Sequence, residues 1–336
     1  MDGAPRDHAR PTLRTVAAET GLAVATVSRA LNDAPDIGEG TKARVREAAR
    51  RLGYRPNRAA RRLRTGRTQV ISLLLGQDPQ LMTHTAQLIH SLAGGLRATG
   101  YHLVVTPVLD GEDPMEMVRY IGETGSADAV VLNKTQPDDP RVAYLMARGI
   151  PVATHGRTGS DAHPWFDFDN ERFGILAVRA LAGRGRRSVL LIPPHESQCY
   201  ARHMRAGAEA GARDEGVRLE ILEGATSDDP ADAVAAVLRD RLRAGDIDAV
   251  VCGSPSVALA STEAAEESGL TVGGEIDLVS KEAVPFLKRF RPAIVTVRED
   301  VEEAGHFLAR AALAAIADPS APPMQRLVAP TRDDVG

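Results

Sequence analysis

The sequence has little of what would mark several common classes of protein. Two cysteines in 336 residues, Cys199 and Cys252, are too few for a disulfide framework or a four-cysteine zinc site, and they suit a reducing cytoplasm. No apolar run approaches the roughly 20 residues that span a bilayer, so no membrane partner is expected. Aromatic residues make up only 4%, so cores must be built from Ala, Val, Leu and Ile, and few rings remain for stacking on a ligand. The opening stretch, Met1 to Pro11, carries Asp, Arg and Pro without an apolar core, and is expected to be a disordered tail and not an export signal. Enzyme motifs are missing as well. There is no Gly-x-Gly-x-x-Gly after a strand, no phosphate-loop Lys-Ser/Thr and no Gly-x-Ser-x-Gly elbow. His155 and His163 lie near Asp161 and Asp167 in sequence, but loop histidines are most often simply solvated. No catalytic residue, cofactor or metal is expected.

A net charge of −4 looks uninformative. It hides a division. Residues 1–68 carry 15 basic and 7 acidic residues, a net +8, while the remainder carries 26 basic and 38 acidic residues, a net −12. A small basic module joined to an acidic body points to nucleic acid as a partner of the first part.

Within the basic module, Thr12 can cap a helix in which Leu13, Val16 and Ala17 share one face. Gly21 supplies the left-handed backbone of a turn. A second helix is expected from about Val24 to Leu31, with Val27, Ala30 and Leu31 inward, ended by Asn32-Asp33-Ala34-Pro35. A third runs from about Gly40 to Leu52, with Ala43, Val45, Ala48, Ala49 and Leu52 as its apolar positions, and ends at Gly53. Helix, glycine turn and short helix make a helix-turn-helix. The outward side chains of the second helix are small and polar, which suits the major groove.

These residues resemble the lactose-repressor/galactose-repressor (LacI/GalR) family. The run Thr12-Leu13-x-x-Val16-Ala17, Gly21, Ala25-Thr26-Val27-Ser28-Arg29-Ala30-Leu31-Asn32 carries the resemblance, and Thr41-x-x-Arg44-Val45 and Leu52-Gly53-Tyr54-Arg55-Pro56-Asn57 continue it. The resemblance is tight over about the first 70 residues and architectural beyond them. It implies base reading by Val24, Ala25 and Arg29, phosphate contacts from Thr12, Ser28 and Asn32, and an intermediate role for Thr26. Tyr54 and Asn57 join the expected DNA contacts. The family usually has Ser at the start of the recognition helix, and Ala23 stands there; a lost N-cap hydroxyl costs about 1 kcal/mol.

Residues 57–68 read as a hinge. Barely two turns of helix are marginal alone in water, and Arg58, Arg61, Arg62, Arg64 and Arg67 repel one another until phosphate neutralises them. The segment is expected to order on DNA. The resemblance places Ala60, Arg61 and Leu63 in the minor groove, with Leu63 as the side chain that wedges open a base step.

From Val70, short apolar runs alternate with helical stretches. Strands are expected at Val70–Leu75, His102–Val108, Ala129–Asn133, Pro151–His155, Ser188–Ile192, Leu219–Leu222, Ala249–Cys252, Asp277–Val279 and Ala293–Val297, with helices between them and a last helix over about Val301–Ala317. That alternation predicts parallel sheets covered on both faces. The rhythm breaks at Trp165–Asn170, which is expected to divide two roughly equal halves. The fold class expected is therefore a small all-α helix-turn-helix DNA-binding domain plus an α/β periplasmic-binding-protein-like bilobed domain with two parallel sheets. Its parts are a tail at 1–11, the DNA-binding domain at 12–56, the hinge at 57–68, the body at 69–330 and a tail at 331–336.

A ligand is expected in the cleft between the lobes, where strand ends converge. By resemblance, Asp169 opens a helix beside it, with helix capping as its alternative role. Where the family typically has an Arg three residues before a Gly, Met204 stands here, flanked by Arg202 and His203, so either Arg202 substitutes or the pocket differs, with His203 as a further candidate. Ser254-Pro255 stands where Asn-Asp is common, and Glu282 where an Asp commonly binds hydroxyls. Trp165 is among the few aromatics placed at the lobe boundary. Sugars come first as effectors, because carboxylates and Arg pair well with polyols; internal salt bridges in a cleft without a ligand are the alternative.

The expectation is a cytoplasmic homodimer that binds a palindromic double-stranded operator, controlled by a small-molecule effector. Residues 331–336 are too short for a tetramerising heptad helix. The other reading is a solute-binding module of a transport system. On the repressor reading, Leu63→Ala lowers operator affinity and leaves dimerisation intact; a gel-shift titration beside sedimentation checks this, and unchanged operator binding would refute the wedge.

Overall fold

Thr12 starts the first helix by exchanging hydrogen bonds with Thr15. The Thr12 hydroxyl accepts the Thr15 backbone N–H at 3.3 Å, and the Thr12 N–H donates to the Thr15 hydroxyl at 3.1 Å. This helix, α1 (Leu13–Thr20), ends at Gly21 with φ of +66°, as its turn requires. Helix α2 (Val24–Leu31) follows and α3 (Glu39–Arg51) closes the bundle. Val16, Ala17, Val27, Ala30, Val45, Ala48 and Ala49 form the core, with Leu13, Leu31, Leu52 and Tyr54 packed at its margin. One expected position differs. Ala43 is exposed, and Lys42 is the buried residue beside it. Its aliphatic stem covers the core while its ammonium reaches Glu39 at 2.7 Å and Asp33 at 3.2 Å. An apolar count along the helix could not anticipate that inversion.

The computed structural model describes residues 11–55, 62, 65–76, 82–109 and 111–331, with only the backbone at 82 and 83. Of the expected tails at 1–11 and 331–336, residues 1–10 and 332–336 lie outside the described residues, as do the hinge positions Asn57, Ala60, Arg61 and Leu63. The chain forms two units, Met1–Thr68 and Gln69–Gly336.

The second unit contains two sheets, each with all strands parallel. The first lobe has β1 (Val70–Gly76), β2 (His102–Val108), β3 (Ala129–Leu132), β4 (Val152–His155), β5 (Trp165–Phe168) and β11 (Gln325–Val328), in the order β11-β5-β4-β3-β1-β2. The second has β6 (Ser188–Ile192), β7 (Arg218–Ile221), β8 (Ala249–Cys252), β9 (Asp277–Glu282) and β10 (Val295–Arg298), in the order β10-β9-β8-β6-β7. Helices α4 (Met82–Gly95), α5 (Pro114–Thr124) and α6 (Pro140–Ala147) cover the first sheet. Helices α7 (Asn170–Gly183), α8 (Cys199–Glu215), α9 (Ala231–Leu242) and α10 (Pro255–Glu267) cover the second, with a short α11 (Phe286–Phe290). Each lobe carries an apolar cluster on both faces of its sheet, which is why its central strands are apolar throughout.

Two sequence expectations need correction. Trp165–Phe168, not expected as a strand, is β5 of the first sheet, and the chain crosses at Asp169, inside the expected Trp165–Asn170 break. Asp167 interrupts the apolar run there, and Arg157 makes its burial tolerable. The halves are also not sequential. After β10 the chain returns, and α12 (Val301–Ala317) packs into the first lobe before β11 adds to its edge. Strand β11 is mostly exposed and polar, as edge strands often are, so it leaves no alternating pattern.

Helices α7 and α8 cross with almost no space between their backbones. A Cβ on Gly207 would sit 1.9 Å from the Glu171 carbonyl oxygen. Gly207→Ala is therefore expected to destabilise the body by roughly 2–3 kcal/mol or more, whereas Gly183→Ala, with nothing within 4 Å, changes stability by about 1 kcal/mol or less. Urea denaturation of the two variants checks the contrast.

Candidate functional site

In the first unit the second helix presents a short, small-residue face. Val24, Ala25 and Arg29 are exposed, Thr26 and Ser28 are half-buried, and Val27 and Ala30 turn inward. Ala23 makes no side-chain cap, so the first-turn N–H groups of α2 lack the hydroxyl that Ser would supply. Arg29 is held in an ion pair with Asp36, and Thr12 and Asn32 are exposed. Tyr54 differs in character: it is half-buried against the bundle, with its N–H on the Ala49 carbonyl at 2.9 Å. Most basic side chains of the bundle pair with acidic neighbours, and Arg44 donates to the Thr20 carbonyl at 3.2 Å.

In the second unit the strands of both sheets end at one cleft. Asn133 and Lys134 follow β3, His155 ends β4, Ser254 follows β8, Glu282 ends β9 and Glu299 follows β10; all line it. Glu299 sits where the chain leaves the second lobe. One of its oxygens lies 3.3 Å from the Lys281 ammonium and the other 3.4 Å from His84 Nε2. Burial opposes its charge, but Lys281 and the His84 hydrogen bond hold its pKa well below the usual carboxylate range. Lys281 also donates to Asn170 Oδ1 at 3.0 Å and rests over the rings of Phe168 and Tyr200. His155 stacks near His84, with ring centroids 5.3 Å apart. Burial, helped by the neighbouring His84, lowers its pKa to about 4. Asp167 accepts from Arg157 Nε at 2.8 Å, yet burial outweighs the guanidinium and raises it to about 6.

One ion pair closes across the cleft. Lys134 of the first lobe meets Asp228 of the second at 2.8 Å, and Asp228 also accepts from the His195 N–H and from Gln198 Nε2.

The expected effector residues divide between wall and frame. Ser254 and Glu282 line the cleft. Ser254 caps α10, and Glu282 accepts the Leu287 N–H at 3.0 Å. Asp169 caps α7 by accepting the Arg172 N–H at 2.9 Å and is not part of the wall. Arg202 donates to the Glu196 carbonyl away from the cleft. His203 stands one layer behind, 3.5 Å from the Arg157 guanidinium that holds Asp167. Trp165 lies on β5 outside the wall, and Met204 is core. His84, His155, Lys281 and Glu299 form the centre of the site; the sequence singled out His155 only beside His163, and Lys281 stands next to the expected Glu282. Sequence gives no reason to join α4 to the residue after β10, because 215 positions separate them. Both cysteines are buried; the Cys252 thiol is pushed up to about 12 by burial and Cys199 is raised by the same cause, so neither is a ready nucleophile.

Among known proteins, residues 12–57 match the profile of "Bacterial regulatory proteins, lacI family" and residues 178–333 that of a periplasmic binding protein-like domain. The chain is 32% identical over 327 residues to the HTH-type transcriptional regulator AglR of Rhizobium meliloti, covering 94% of this chain and 90% of the relative. It is 27% identical over 308 residues to the HTH-type transcriptional regulator CelR of Thermobifida fusca, covering 90% of each. A solved CelR–cellobiose complex shares the fold with a TM-score of 0.71 at 24% identity, covering 96% of this chain and 98% of that one. The Lac repressor dimer bound to operator and the anti-inducer ONPF does so with a TM-score of 0.80 at 22% identity, covering 96% and 97%.

The shifts in the cleft set a pH dependence. His155 has a folded pKa below its unfolded value, so its contribution is complete above about pH 6.5 and is lost as pH falls towards about 4. Asp167 is raised, so its contribution is present below its unfolded pKa of 3.8 and is lost as pH rises through about 6. Between pH 6.5 and 4.5, His155→Gln is expected to flatten the fall in melting temperature and Asp167→Asn to steepen it, read by circular dichroism melts across that range.

Proposed function

The chain belongs to the lacI family of bacterial regulatory proteins, and from that premise we propose that it is a homodimeric, cytoplasmic repressor of a palindromic operator, controlled by a sugar or sugar derivative. A chain of this family is a helix-turn-helix transcriptional regulator and not an enzyme. No helix among the described residues is long and apolar enough to cross a membrane.

The observation that carries the reading is the joining, in one chain, of a basic bundle whose second helix exposes Val24, Ala25 and Arg29 to a bilobed body with a polar cleft at its strand ends. Residues 12–56 would read bases and phosphates, 57–68 would serve as the hinge, and 69–330 would bind the effector and the partner copy. Arg29 would exchange Asp36 for a guanine edge. In the cleft, Asn133, Ser254, Lys281, Glu282 and Glu299 offer the alternating donors and acceptors that a polyol takes. The cellobiose in the related CelR complex supports a sugar as first choice. Exposed apolar side chains, Val104 and Val105 on β2 and Phe286 and Phe290 around α11, supply surface for a second copy.

The test selects bound fragments of genomic DNA with the purified protein and follows the recovered site through a salt series. Expected are a two-fold-symmetric site, an affinity that falls steeply with salt, and a loss of about 10- to 100-fold on Arg29→Ala. A sugar panel should raise the melting temperature through mass action. Sugar binding without salt-dependent DNA binding would favour a solute-binding module.

A further inference from the structure

Sequence spacing groups His155 with His163, and the fold separates their roles. His163 is buried with its Nε2 3.0 Å from the Thr154 hydroxyl. What meets His155 is His84 from α4 and Glu299 from the crossing after β10. One donor atom from each of these three side chains lies within 4.8 Å of the other two. Two imidazoles and a carboxylate are the donor set of three-ligand zinc sites that keep a position open.

The spacing of two donors already fits. His84 Nε2 and Glu299 Oε1 are 3.4 Å apart. Two ligands at about 2.0–2.1 Å from a tetrahedral ion are separated by about that distance. Lys281 holds the other carboxylate oxygen at 3.3 Å, which leaves Oε1 turned to the histidines, as an outer partner orients a ligand. The ammonium is kept on its own side by Asn170 Oδ1 and by the Phe168 and Tyr200 rings. A hydrogen bond between His84 and Glu299 explains two of the three groups. The His155 ring lies between the His84 and Phe166 rings without a hydrogen bond to Glu299, and a shared cation would join it to the other two groups.

We propose that His84, His155 and Glu299 bind a divalent transition-metal ion of the zinc type on the cleft wall, and that an effector oxygen, hydroxyl or carboxylate, fills its open position. The second half rests on the effector reading given above. All three side chains line the cleft, so the open position faces the ligand space.

The experiment strips the full-length protein with a chelator, then titrates Co2+ by visible absorption and Zn2+ by calorimetry. Expected is one ion per chain with the visible band of four-coordinate cobalt and no thiolate charge-transfer band, which excludes Cys199 and Cys252 as ligands. His155→Gln and Glu299→Gln should each weaken binding by at least about tenfold, and His195→Ala, on the exposed surface, should leave it unchanged. Protection of His84 and His155 from diethylpyrocarbonate by Zn2+ in the wild-type protein gives a readout that needs no variant to fold. Absence of the cobalt band, or equal affinity in the variants and the wild type, overturns the site. Sugar-induced thermal shifts with Zn2+ and with chelator separate the two halves. A shift that needs Zn2+ supports the bridge, and a shift indifferent to Zn2+ overturns the bridge. Cobalt binding without any sugar shift keeps the ion site and overturns the effector reading.

Discussion

A carboxylate taken out of water must find compensation nearby, and Glu299 sets that requirement where the chain leaves one lobe for the other. Its partners come from other elements: Lys281 is the penultimate residue of β9, His84 lies on α4, and Asn170 reaches it through Lys281. Because these elements belong to both lobes, balancing one charge also fixes how the strand ends face each other. Asp167 repeats the device with Arg157, and Arg157 leads on to His203 in the second lobe. Glu299, Asp167 and Lys134 are thus already matched where they line the cleft. A ligand entering it replaces partners and does not meet bare charge.

Much of the fold could be read from local pattern. Thr12, Gly21 and the inward Val16, Val27 and Val45 define the bundle through capping, turn chemistry and period, all of which act within a few residues. The parallel strands announce themselves because burial on both faces demands continuous apolar runs. The failures share a cause. Strand β5 contains a buried charge whose partner lies ten residues away, and β11 is an exposed edge with no alternation. Lys42 behaves as a core residue only because Asp33 and Glu39 stand ready for its head.

The cleft was legible as a place and less so as a set of residues. Ser254 stands two residues past β8 and Glu282 ends β9, and the family resemblance pointed to both. Asp169 and Arg202 satisfy backbone groups instead, a distinction that depends on side-chain direction and not on spacing. His84 and Glu299 come together only through the return of α12 to the first lobe, and no local rule anticipates a contact made by such a crossing.

The Lys134–Asp228 pair has a bearing on how sharply the body can respond. Its two side chains keep only 18% and 17% of their exposure, so separating the lobes here would return two largely buried charges to water. A ligand that prefers one arrangement of the lobes by about tenfold, or about 1.4 kcal/mol, shifts the ratio of the two by that factor. Salt, which screens so buried a pair only weakly, would move the same equilibrium less than such a ligand does.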